Sequence, residues 1–201
     1  VINWFGRMLM PNGTSKEVDL NPKKSSIKNI TILAEIKNDI NVEGKTREIL
    51  TEYVALIYRD KFGNINNSSM IENYEKKYSG IEIEEFTVKN ESPKPVNISY
   101  SFVNNNSIEV IGDKLYVSPL LFLTNEENPF KSEKRSYPIE FDFPQKINYN
   151  VSLKIPENYE VEYSPSSILY KTPGGELLFN FNISNTTNNL IQISSNFEMN
   201  S

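Results

Sequence analysis

Apolar and polar residues alternate with a period of two along most of this chain, as expected for strands that bury one face. Residues 30–36 (Ile-Thr-Ile-Leu-Ala-Glu-Ile) are β-rich and stop at Asn38-Asp39, and residues 46–53 set β-branched residues against charges. Residues 81–88 and 96–102 alternate most regularly. Further strands are predicted over 108–111, 115–123, 149–155, 159–163, 177–183 and 190–197, with a short one over 16–20 after the turn Pro11-Asn12-Gly13. Gly112-Asp113, Pro156-Glu157-Asn158 and Pro173-Gly174-Gly175 supply turn chemistry between strands.

The period changes only once. Residues 54–62 fit a helix as well as a buried strand, and periodicity does not decide between them. After Gly63, Met70, Ile71, Tyr74 and Tyr78 recur at helical spacing, with Ser68 or Ser69 as cap, Glu72 near N3, and Gly80 as the stop. The predicted class is mainly β, an antiparallel β-sandwich-like fold with one short helical excursion around residues 54–79. Residues 1–112 form a mixed portion and 113–201 an all-β portion, or the two make one continuous domain.

Composition narrows the chemistry. The 201 residues contain no histidine and no cysteine. Imidazole ligation, thiolate nucleophiles and disulfides are therefore unavailable, leaving carboxylates, lysine, tyrosine and hydroxyls. No cofactor or metal site is expected. A net charge of -5 without a basic stripe argues against nucleic acid. No apolar run approaches the ~20 residues of a membrane span, since Ser118-Pro119 interrupts the longest. Beginning at Val1 without a leader pattern, the chain reads as a mature product or a fragment.

Each candidate site has a simpler reading beside it. Glu82, Glu84 and Glu85, like Glu160 and Glu162, could pair at about 7 Å along a strand face, a spacing compatible with glycoside hydrolysis. Alternation with Ile81 and Ile83 instead puts them on a solvated face. Asp39-Ile-Asn41-Val-Glu43-Gly44 starts like a calcium loop, but Leu50 stands at the twelfth position where a bidentate glutamate is needed, so the segment reads as a turn using Gly44. Lys23-Lys24 and Ser25-Ser26 read as a polar loop, and Pro173-Gly174-Gly175 as a hairpin turn rather than a phosphate cradle. Exposed members of the 11 tyrosines could bind sugars or proteins.

One block is distinctive: Asn128-Pro129-Phe130, then Arg135, Tyr137-Pro138 and Phe141, followed by Ile155-Pro156, Tyr159 and Pro165. It resembles the C-terminal domain of unknown function that follows the transglutaminase-like core in exported Bacteroidetes proteins. Gly112-Asp113, Tyr116 and Pro119-Leu120-Leu121 are similar to an upstream part of that family's pattern. So are Tyr53, Ala55 and Arg59, although a glycine before Tyr53 is missing. The resemblance implies a non-catalytic accessory domain, located in the periplasm or at the cell surface, that packs on the upstream core and shapes access to it. The family's reactive residues lie in that core, so no catalytic position carries over. Asn128, Pro129, Phe130, Arg135, Tyr137, Pro138, Phe141, Pro156 and Tyr159 are expected to be structural. A cell-surface module binding glycan or peptide through a tyrosine-lined face is the alternative, and a carboxylate-pair enzyme the third reading.

Overall fold

The computed structural model describes residues 4–78, 80–124, 141–186 and 189–200. Two short strands, β1 (Phe5–Leu9) and β2 (Ser15–Asp19), form a separate hairpin. Then come β3 (Ser26–Ile36), β4 (Val42–Leu50), the helices α1 (Glu52–Phe62) and α2 (Asn67–Lys77), β5 (Ile81–Lys89) and β6 (Val96–Asn104). A second hairpin, β7 (Ile108–Ile111) and β8 (Lys114–Val117), precedes a 3-10 turn at Leu121–Leu123. The chain ends in β9 (Gln145–Lys154), β10 (Ile168–Lys171), β11 (Leu177–Thr186) and β12 (Leu190–Met199).

Eight strands form one mixed sheet in the order β10-β11-β12-β9-β3-β4-β6-β5. The class is thus mainly β and sandwich-like with a small helical part. The pairing is not antiparallel throughout, because β3 and β9 run parallel from Ser26↔Gln145 to Glu35↔Lys154. That seam joins strands on either side of residue 112 into one continuous sheet. Parallel neighbours need a long crossover, which the intervening hundred-odd residues of chain provide, and no local pattern announces such a pairing. Side chains reinforce the seam, since Asn148 Nδ2 donates to Asn29 Oδ1 at 2.6 Å and Lys154 Nζ lies 2.9 Å from Glu35 Oε1.

One face of the sheet carries the core. Ile30, Ile32, Val42, Leu50, Val96, Ile98, Phe102, Val151 and Leu153 are buried on it. The helices cover the β3-to-β5 half, where Tyr74 packs edge-on against Phe86 and Tyr100 at 5.5 Å. Phe122 of the 3-10 turn packs edge-on against Phe102, with ring centres 4.9 Å apart.

Several local expectations change. The strand expected over residues 46–53 ends at Leu50, and Tyr53 lies in α1. The helix start is stabilised from far along the chain: the Tyr53 backbone N–H donates to Ser26 Oγ at 3.1 Å. Ser26 is accordingly buried at the start of β3 rather than in a polar loop. Residues 54–62 are helical and bury Ala55 and Tyr58. Residues 115–123 split after Val117, because Pro119 has no N–H for a ladder and Leu121 N bonds back to Ser118 O. Residues 159–163 form no strand. The strands β1 and β10 are almost wholly exposed, so they lack the alternation that reveals a strand in sequence.

The cap of α2 is Asn66, whose Oδ1 accepts from Ser69 N at 2.9 Å, and not Ser68 or Ser69. Asn66→Ala should lower stability by about 1 kcal/mol in urea unfolding, whereas Ser68→Ala should stay within about 0.5 kcal/mol of the parent. Equal effects of the two substitutions would contradict this assignment.

Gly44 also has a different role. The hairpin tip falls at Asp39-Ile40, where Ile40 has a φ of 66°, while Gly44 sits within β4 opposite Ala34. A Cβ there would lie 2.7 Å from both the Leu33 carbonyl oxygen and Phe102 Cζ. The glycine thus makes room for a core ring; it does not shape a turn.

Candidate functional site

Eight of the eleven tyrosines fall into two groups with opposite surroundings; of the others, Tyr53 packs on Phe143, Tyr170 is exposed on β10, and Tyr137 lies outside the described residues. The first group surrounds a buried acid. On β4, alternation turns Val42, Thr46, Glu48 and Leu50 toward the core, and Glu48 is only 2% exposed. The Tyr100 hydroxyl reaches Glu48 Oε1 at 3.5 Å, and Tyr58, Tyr74, Tyr78 and Tyr149 stand around it. Burial raises the Glu48 pKa, with Lys28 and Lys77 pulling weakly the other way. Burial likewise raises the hydroxyls of Tyr74, Tyr78 and Tyr100, and pushes Tyr58 up to about 12. None of these side chains lines the large groove of the molecule, so the cluster is a closed polar knot inside the core.

The alternation of β-branched residues with charges over residues 46–53 does not by itself single out Glu48. A signal was present, since Glu48 has the same parity as Val42 and Leu50. Sharing a face with apolar residues makes an acid a candidate for burial.

The second group borders an open groove. Its floor is isoleucine and leucine from the sheet, chiefly Ile36, Leu153, Ile191 and Ile193. One wall is the β7–β8 hairpin, and the other is the segment 155–165. The enclosed space measures about 1260 Å³. Tyr116 (52% exposed), Tyr159 and Tyr163 (83% exposed) border it. Lys114 of β8 and Glu162 of the opposite wall join across it at 2.6 Å, which raises the lysine pKa. The residues from 160 to 167 belong to no strand and form no backbone hydrogen bond among the described residues, leaving peptide groups of this wall open to a ligand. Most of the lining comes from the last third of the chain.

Residues 113–201 match DUF3858, described as a domain of unknown function with solved-structure structure. The DUF3858 segment thus contains β8 to β12 and one whole wall of the groove. No curated protein matches the chain.

The structure disperses the carboxylates singled out in the sequence. Glu82 and Glu84 face solvent on β5. Glu85 occupies a bulge with a φ of 50°, where the Ser101 hydroxyl at 2.7 Å, and then Lys45, hold its carboxyl below the usual range. Glu160 and Glu162 are exposed on an irregular segment rather than a strand. Ser25 and Lys28 stand at S-x-x-K spacing, yet Ser25 precedes β3, Lys28 lies within it, and no hydrogen bond joins them. Around Asp39, Asn41 Nδ2 donates to Asp39 Oδ2 at 3.2 Å, closing the hairpin tip upon itself. Among the described residues no group of three Asp or Glu could hold a metal ion.

Of the motif residues, Asn128, Pro129, Phe130, Arg135, Tyr137 and Pro138 lie outside the described residues. Phe141 is half-buried just ahead of β9. Pro156 and Tyr159 meet in a turn, Tyr159 N donating to Pro156 O at 3.1 Å, and both line the groove. Arg59, half-buried on α1, donates to Asn90 Oδ1 at 2.8 Å and to the Lys94 carbonyl, tying the helix to the β5–β6 connection. Tyr53 stacks on Phe143 at 5.4 Å. These contacts are architectural.

Proposed function

We propose that this chain is a non-catalytic accessory domain of an exported transglutaminase-like protein, in the periplasm or at the cell surface, docking on the catalytic core and shaping access to it. The observation that carries the docking is the β1–β2 hairpin. Among the described residues it pairs with no third strand, and it exposes Trp4, Phe5, Met8 and Leu9, the last at 80%. A lone two-stranded hairpin is marginal in water, and a cluster of exposed apolar side chains marks an interaction surface. The identity of the covering core comes from the sequence resemblance of residues 53–165. The lack of cysteine and histidine supports a role without its own acyl-transfer chemistry. No helix among the described residues is long and apolar enough to cross a membrane.

In the whole parent polypeptide, hairpin amides should exchange with solvent at least about tenfold more slowly than in the isolated chain, and Trp4→Ser with Leu9→Ser should abolish the difference. Equal exchange in both settings would refute the docking. Peptide hydrolysis or acyl transfer by the purified chain would refute the non-catalytic part.

A second reading has its own support. The open groove of the DUF3858 segment has the size and shape of a binding surface, favouring a module that takes a peptide or glycan beside its docking role.

A further inference from the structure

We infer that the groove between the β7–β8 hairpin and residues 155–165 binds an extended peptide bearing lysine or arginine. The inference rests on the reading of that groove as a binding surface, and it specifies the occupant. Charge is the first argument. Glu109, Asp113, Glu160 and Glu162 line the groove, against the single cation Lys114. Lys114 is already paired with Glu162, and no cation among the described residues pairs with the other three carboxylates. An occupant with positive charge is drawn in and an anionic one repelled.

The floor and walls supply the remaining chemistry. Leu153, Ile191 and Ile193 offer an apolar base on which every second side chain of an extended segment can rest. Tyr116 and Tyr163 stack on no other aromatic ring among the described residues, so their faces are open to an ammonium or guanidinium. The backbone of residues 160–167 belongs to no ladder, which leaves N–H and C=O groups for main-chain pairing with a peptide. A neutral glycan could use the tyrosines and donate hydroxyls to the carboxylates, but it carries no positive charge to balance theirs and leaves the aliphatic floor uncovered.

The test is fluorescence anisotropy with three labelled peptides about ten residues long. All share one apolar alternation and differ only in carrying lysine and arginine, glutamate, or serine at the intervening positions. A neutral oligosaccharide serves as the fourth probe. The basic peptide should bind, and weaken with added salt. Asp113→Asn combined with Glu160→Gln, and separately Tyr116→Ala with Tyr163→Ala, should each weaken binding about tenfold. Glu82→Gln with Glu84→Gln removes the same charge from the far sheet edge and should leave binding unchanged.

Equal binding of the serine or glutamate peptide overturns the charge assignment while leaving the groove as a peptide site. Binding of the oligosaccharide alone assigns the groove to glycans instead. Equal loss in the Glu82/Glu84 control reduces the effect to bulk charge and overturns the site. Failure of every probe removes the groove reading as well, without touching the docking role of the β1–β2 hairpin.

Discussion

Glu48→Gln should flatten the dependence of stability on pH. The Glu48 pKa is raised in the fold from the ordinary 4.5, because burial disfavours the carboxylate. Below pH 4.5 both folded and unfolded chains hold the proton, and the stabilising contribution is fully present. Above it the unfolded chain ionises while the folded chain keeps the proton, so stability falls by about 1.4 kcal/mol per pH unit. The fall ends when pH passes the folded-state pKa. Glutamine keeps the shape and a hydrogen-bonding partner for Tyr100 but cannot ionise. Urea unfolding across pH 4 to 9 should therefore show parent and variant diverging as pH rises, with the variant the more stable. Parallel curves would mean that Glu48 reaches water after all. Glu48→Ala should be less stable than the glutamine variant throughout, since it leaves a void and tyrosine hydroxyls without their acceptor.

Phe102→Ala should cost about 3–5 kcal/mol, the usual range for a fully buried aromatic. Phe102 is 2% exposed, packs edge-on against Phe122, and fills the space left open by Gly44. The same contact predicts a coupling. Gly44→Ala in the parent forces its new methyl against the Phe102 ring and the Leu33 carbonyl, costing about 1–3 kcal/mol. In the Phe102→Ala background only the carbonyl clash remains, so the second substitution should cost less. A double-mutant cycle in denaturant should return an interaction energy of about 0.5–3 kcal/mol. Strict additivity would show that the ring is not the obstacle at Gly44.

Much of the architecture was legible in the chain. Strands that bury one face, such as β5 and β6, alternate clearly, because water and core impose opposite demands on successive residues. The hairpins at Gly112-Asp113 and Pro173-Gly174-Gly175 were visible for a local reason too: Gly112 and Gly175 have φ of 64° and 79°, which glycine adopts without strain. The site was less legible. The tyrosines stand out as a set, but nothing local separates the five around Glu48 from those bordering the groove. The motif marks Pro156 and Tyr159 as structural. They do form a turn, and that turn is also part of a groove wall.

The sequence by itself determined the elements whose cause is local: period-two strands, glycine turns, the α2 spacing and the absence of imidazole and thiol chemistry. Tertiary structure alone decided what depends on distant partners. Ser26 caps α1 from across 27 residues, β9 lies parallel to β3, and Phe102 dictates glycine at position 44. It also decided that Glu48 is enclosed while Glu82 and Glu84 are not, although all three sit on alternating strands. Periodicity fixes which residues share a face; only packing determines whether that face meets water or the core.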